Sequence, residues 1–178
     1  MIVTVILRFI QILFAAIVLG LAVTLIKDQV VGGPPSAINY AAFTGGFGMV
    51  AAAAGVAALF IEPLGGLIMA AIDGLASLFF LAGGIAIVVM LRGISCSSTS
   101  LENQAKMYEN DLLNGGCITY KGEKACGLMD DLSHMNTRCK ENEADAAFMF
   151  MSFALCVSCA VLSFLAVRRG TGRKGALV

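Results

Sequence analysis

Hydrophobic and polar positions segregate along this chain into long blocks. Three apolar runs follow in quick succession, then a polar stretch of about fifty residues, then a fourth apolar run. The runs are Ile2 to Ile26, Ile38 to Ile61, Leu64 to Leu91 and Ala146 to Val167. Each reaches the roughly 20 residues that a helix needs to cross a hydrocarbon core of about 30 Å. The pattern predicts an all-α integral membrane fold: a bundle of four transmembrane helices spanning about 2–26, 38–61, 64–91 and 146–167. A disulfide-bonded extracellular loop, 92–145, joins helices three and four, and a basic tail, 168–178, closes the chain. With 178 residues, 58% of them hydrophobic and a mean hydropathy of +0.87, the chain supplies one membrane domain and no separate soluble one. The first run lacks a basic segment before it and exceeds the 7 to 15 residues of a secretory apolar core, so it is expected to be a retained span.

Smaller signals punctuate the runs. Gly32-Gly33-Pro34-Pro35 predicts a short irregular link after span one. Span two is rich in small residues, and Gly48, Ala51, Ala52 and Gly55 supply a face for close helix packing, within the bundle or against a second copy. Glu62-Pro63 predicts a tight antiparallel turn between spans two and three. In the long loop, Thr99-Ser100-Leu101-Glu102 has the form of a capping box, with Leu101, Ala105, Tyr108 and Leu112 following at helical spacing. Cys117 to Cys126 predicts a small hairpin around Gly122, and Leu128, Leu132 and Met135 one face of a further short helix.

Charge and cysteines then fix an orientation. The last eleven residues carry Arg168, Arg169, Arg173 and Lys174 and no acid, whereas the long loop has six basic against nine acidic residues, a net charge of −3. Basic residues near a span end favour the cytoplasm, which places both termini there. Cys96, Cys117, Cys126 and Cys139 all fall in the loop so placed outside, where disulfides persist. Four cysteines allow three connectivities, and the nested one, Cys96 with Cys139 and Cys117 with Cys126, suits the position of Cys96 and Cys139 at neighbouring span ends.

Ionisable groups within spans are functional candidates by default. Arg8, Glu62 and Asp73 qualify. Arg8 and Glu62 fall near the same surface and a contact between them is geometrically possible. Asp73, counted about eleven residues beyond Glu62, falls near mid-membrane with no basic partner in the sequence. As a protonated acid it would clasp a neighbouring helix through Thr44 or Ser152, or act as a proton- or lipid-coupled site. The Arg168, Arg169, Arg173 and Lys174 cluster is a candidate contact for anionic inner-leaflet lipid or a coat protein. Cys156 and Cys159 lie deep in span four and are expected to pack rather than to react. A single histidine, His134, does not make a zinc site. No phosphate loop, nucleophile elbow or catalytic carboxylate pair is present, so no cofactor, enzymatic activity or nucleic-acid partner is predicted.

The sequence resembles the fungal non-classical export protein 2 family, which has a four-span MARVEL-type membrane domain. The shared features are Leu7-Arg8, Asn39-Tyr40 followed by Phe43, Phe60-Ile61-Glu62-Pro63-Leu64, Asp73, Ser95-Cys96, Thr137-Arg138-Cys139, Ala146-Ala147-Phe148 and the basic tail. The longer loop, with its extra pair Cys117 and Cys126, departs from that pattern. The resemblance implies a non-enzymatic plasma-membrane organiser of sterol- and sphingolipid-associated patches, linked to the BAR-protein coat of eisosomes, to sphingolipid-responsive signalling and to non-classical export. Two other classes compete with it. A small transporter or export channel would need more than one deep carboxyl. An adhesive four-span protein of the claudin kind would carry its large loop between spans one and two.

Overall fold

A computed structural model describes residues 2–58, 66–120, 123–128 and 131–174, with side chains described for 3–58, 66–119, 125–128 and 131–168. The elements are α1 (Ile2–Lys27), α2 (Ser36–Ala57), α3 (Leu67–Met90), α4 (Leu101–Glu109), β1 (Cys117–Tyr120), β2 (Glu123–Cys126) and α5 (Leu132–Lys174). Helices α1, α2, α3 and α5 are long and apolar enough to cross a membrane. They close into a ring: α1 packs on α2, α2 on α3, α3 on α5 and α5 back on α1. Helices α1 and α3 therefore lie across the bundle axis from one another. One end of the bundle carries both termini, here the tail end, and the other carries the disulfide-bonded segment, here the loop end.

Small and polar residues recur on the inward faces of the long helices, beside a few large apolar ones such as Leu25, Phe80 and Met149, while many large apolar residues face outward. On α1 the buried positions are Arg8, Gln11, Ala15, Val18, Ala22 and Leu25, while Val3, Ile6, Phe9 and Leu13 are exposed. With no hydrophobic drive between helices in lipid, close backbone packing holds such a bundle together. The small residues of α2 provide it within one chain: a Cβ on Gly45 would lie 2.7 Å from the Leu19 nitrogen, and one on Gly48 would strike the Phe80 ring. Tyr40, Phe43 and Phe47 of α2 meet Phe79 of α3 in an aromatic cluster, with ring centroids 5.2 to 6.4 Å apart.

The last helix departs from the sequence expectation. Leu132 and Met135, expected on a separate short helix, belong to α5 itself, a single helix of 43 residues. At 1.5 Å per residue this is about 64 Å, well over a bilayer's thickness, so the helix extends past the apolar run at both ends. A buried seam follows heptad spacing along it: Met135, Arg138, Asn142, Asp145, Met149, Ser152, Cys156 and Cys159. Helix α4 also differs in register. Its N-cap is Ser100, which accepts from the Asn103 N–H, and not Thr99. Asn103 and Met107 form its buried side, whereas Leu101 is exposed. Asn103 decides this, because its side chain accepts from Ser95 N–H and donates to the Ser95 and Ser98 carbonyls, fastening the segment after α3.

Candidate functional site

Inside the tail end, Arg8 of α1 and Asp73 of α3 form a bidentate ion pair across the bundle axis. Nη1 donates to Oδ1 at 2.5 Å and Nη2 to Oδ2 at 2.6 Å, and both side chains are almost fully buried. Nη1 also donates to Gln11 Oε1, and Gln11 Nε2 donates to the Cys156 sulfur on α5. Gly55 of α2 completes the site, since a methyl group there would overlap the guanidinium. All four spans thus meet at one charged clasp.

The sequence had left Asp73 without a basic partner, and the structure corrects this. Arg8 lies six residues past Ile2 and Asp73 six past Leu67, and α1 and α3 run in the same direction. Both groups therefore sit about 9 Å in from the same end of the bundle. Counting from Glu62 had placed Asp73 too deep. Thr44 and Ser152, its expected partners, are buried with hydroxyls that bond nothing among the described residues. Glu62, and with it the motif Phe60 to Leu64, lies outside the described residues.

A second buried arginine stands at the loop end. Arg138 donates through Nη1 to the Leu25 carbonyl, through Nε to the Leu112 carbonyl and through Nη2 to Gln29 Oε1. Leu25 lies in the last turn of α1, where carbonyls lack helical partners and a cation is favoured. The neighbouring Cys139 is joined to Cys96, so α3, α5 and the end of α1 are tied at one place. The link after α1 packs there too, with Val30 and Val31 N–H both donating to the Gly115 carbonyl. Sequence reasoning missed Arg138 as a site residue, although an arginine beside a loop cysteine near a span end was the available signal.

Cys117 and Cys126 are joined across the antiparallel β1–β2 hairpin, in which they are register partners. Cys156 and Cys159 are free and buried. His134 is half-exposed, 3.7 Å from Asp28. On the exposed face of α4, a hydrogen bond from Lys106 holds the Glu102 carboxyl below its ordinary range. Arg168 is exposed, its guanidinium 5.8 Å from the Phe164 ring centre. Arg169, Arg173 and Lys174 lie in the last turns of α5, beyond the residues whose side chains are described.

Residues 1–162 match the MARVEL family of membrane-associating domains, and the chain belongs to that family. No curated protein and no solved structure matches it.

Proposed function

We propose that this MARVEL-domain protein is a non-enzymatic organiser of plasma-membrane patches rich in sterol and sphingolipid. It adopts both-termini-cytoplasmic topology, and the Cys96–Cys139 loop faces outside. Family membership supports a membrane-associated role, and the resemblance to the fungal non-classical export protein 2 family supports the patch, eisosome-coat and export connections. The observation that carries the reading is the division of the bundle into a clasped interior and an apolar perimeter. The Arg8–Asp73 charges are paired with each other, while Phe43, Val50, Leu78, Ile85 and Val88 present side chains outward. The aromatic cluster of Tyr40, Phe43, Phe47 and Phe79 adds an apolar surface suited to ordered lipid. A tagged copy should concentrate in static plasma-membrane patches that disperse when sterol or sphingolipid synthesis is blocked. An even distribution, insensitive to both treatments, would remove the reading.

A small transporter is the second reading, and one observation favours it. Thr44, Asn142, Asp145 and Ser152 each bury at least one side-chain oxygen that has no partner among the described residues. Such groups are disfavoured in a dry interior. Flux of a small polar solute or proton through reconstituted liposomes, abolished by Asp145→Asn, would move the assignment to transport.

A further inference from the structure

We infer that the loop end of the bundle carries a proton-operated latch: Asp145 of α5 folds as a neutral carboxylic acid, and losing its proton loosens α5 from α1 and α3. Asp145 is fully buried, and neither of its carboxyl oxygens has a hydrogen-bond partner among the described residues. It comes directly before the apolar run that starts at Ala146, on the inward seam of α5, the helix that packs on α1 and α3. Asn142 stands three residues earlier on that seam, and residues three apart are neighbours on a helix surface. Its Nδ2 donates to the Arg138 carbonyl, which leaves Oδ1 buried and without a partner as well. Two neighbouring acceptors oppose each other as long as the acid is ionised. One added proton turns the pair into a donor and an acceptor, with the Asp145 O–H donating to Asn142 Oδ1. The proton removes a buried charge and satisfies the amide oxygen in place, with no transported solute needed.

No cation among the described residues takes the proton's place. Arg138 lies seven residues back, about 10 Å along the helix, and its bonds go to Leu25, Leu112 and Gln29. Arg92, which follows α3, and Glu143 line an open cleft between α3 and α5, and both are exposed. Lys27 at the end of α1 and Lys140 on α5 are exposed too. The ionisable groups of α2 and α3 are Tyr40, which donates to the Phe79 carbonyl, and Asp73, which is bound to Arg8. Asp28 and Glu141, the other acids near this seam, act on Arg138. Burial alone therefore governs Asp145 and pushes its carboxyl up to about 7. A value raised on folding means that the folded chain keeps a proton that the unfolded chain has already lost. The stability this proton contributes is full below the ordinary carboxyl range, falls as pH rises, and is gone above about 7.

The test is the pH dependence of thermal unfolding of the full chain in detergent. The unfolding temperature should drop by about 5–10 °C from about pH 5 to about pH 8, the scale of a roughly hundredfold shift in the unfolding equilibrium. Asp145→Asn keeps a neutral donor at every pH, so it should lose most of this dependence and unfold at about pH 8 as the parent does in acid. His134→Gln is the control. His134 lies 3.7 Å from Asp28 and 3.9 Å from Asp131, so its protonation would also tie α1 to α5. The control should keep the parental dependence. Hydrogen exchange should show the loosening as local, with protection from Asn142 to Met149 falling at about pH 8 while the Arg8 end keeps its own. An Asp145→Asn chain as pH-sensitive as the parent, a dependence abolished by His134→Gln, or equal loss of protection at both ends would overturn the latch. If Asp145→Asn fails to fold, infrared spectra of the parent chain carrying isotope-labelled aspartate decide. A neutral-acid carbonyl band from aspartate at about pH 6, lost by about pH 8, supports the latch, and its absence at about pH 6 overturns it.

Discussion

Two arginines are buried among the described residues, one at each end of the bundle, and they are satisfied by opposite means. Arg8 faces a carboxylate on the opposite helix, whereas Arg138 faces two main-chain carbonyls and a glutamine oxygen. The difference follows from what each place offers. At the tail end the neighbouring backbone is helical and its carbonyls are already bonded, so a cation there needs another side chain. At the loop end α1 stops and its last carbonyls are open, so the guanidinium serves as a cap. An acid near Arg8 is consequently indispensable, while Arg138 draws its partners from the fold itself.

The largest effect should come from removing the acid. Asp73→Asn leaves Arg8 buried with an uncompensated charge and should destabilise the bundle by about 3–5 kcal/mol. A clasp made to Thr44 or Ser152 alone would instead tolerate Asn. The double change Arg8→Leu with Asp73→Leu removes both charges and should be much milder than either single change. Thermal unfolding of the purified chain in detergent, for the single and double variants, measures the coupling. Equal and additive losses would show that the two groups do not act as a pair.

Arg138→Met should cost less, about 2–3 kcal/mol, because it removes charge-assisted hydrogen bonds without stranding an opposite charge. Its signature should be local. Hydrogen exchange should rise in the last turn of α1 and near Leu112, while the Arg8 end keeps its protection. Uniform loss of protection along all four spans would make Arg138 a part of the global core and erase the contrast between the ends.

How much of this was legible follows the same contrast. The spans were legible because apolar runs of that length have one physical outcome, and the cysteines because their positions at span ends limit their partners. Cys96 and Cys139 are 43 residues apart in sequence yet joined. The clasps were not legible. Arg8 and Asp73 lie on helices that are diagonal in the bundle, so no adjacency in the chain relates them, and their common depth depends on where α3 begins. The partners of Arg138 at Leu25 and Leu112 are carbonyls, which every residue possesses and no sequence pattern marks. The face of α4 was misplaced for a related reason. Apolar spacing favoured Leu101, but the polar side chain of Asn103 was needed to bond the Ser95–Ser98 turn.

The hairpin offers a smaller test at the loop end. In the chain-entropy view a bridge closing nine residues contributes about 2.6 kcal/mol to the segment it closes. Replacing Cys117 and Cys126 with Ser should therefore raise exchange within 117–126 and leave unfolding of the spans unchanged. A fall in the unfolding temperature of the whole chain comparable to that of Arg138→Met would show that the hairpin is continuous with the Arg138 clasp.

The smallest effect on stability should come from the basic tail at the end of α5. The helix continues through Gly170-Thr171-Gly172 to Lys174. Arg173 and Lys174 consequently stand about 8–9 Å along the helix axis beyond Arg168. Arg168, close to the apolar run, is suited to fixing topology. The distal pair is suited to anionic headgroups or a coat protein, and each charge near such a surface contributes about 1 kcal/mol. Arg173→Gln with Lys174→Gln should leave unfolding and topology as in the parent chain and shorten residence in patches, measured by fluorescence recovery of a tagged copy. Arg168→Gln should shift topology reporters more than residence. If the distal double variant recovered at the parental rate, all four basic residues would be topological markers, and the working chemistry of the tail end would lie wholly inside the bundle at Arg8.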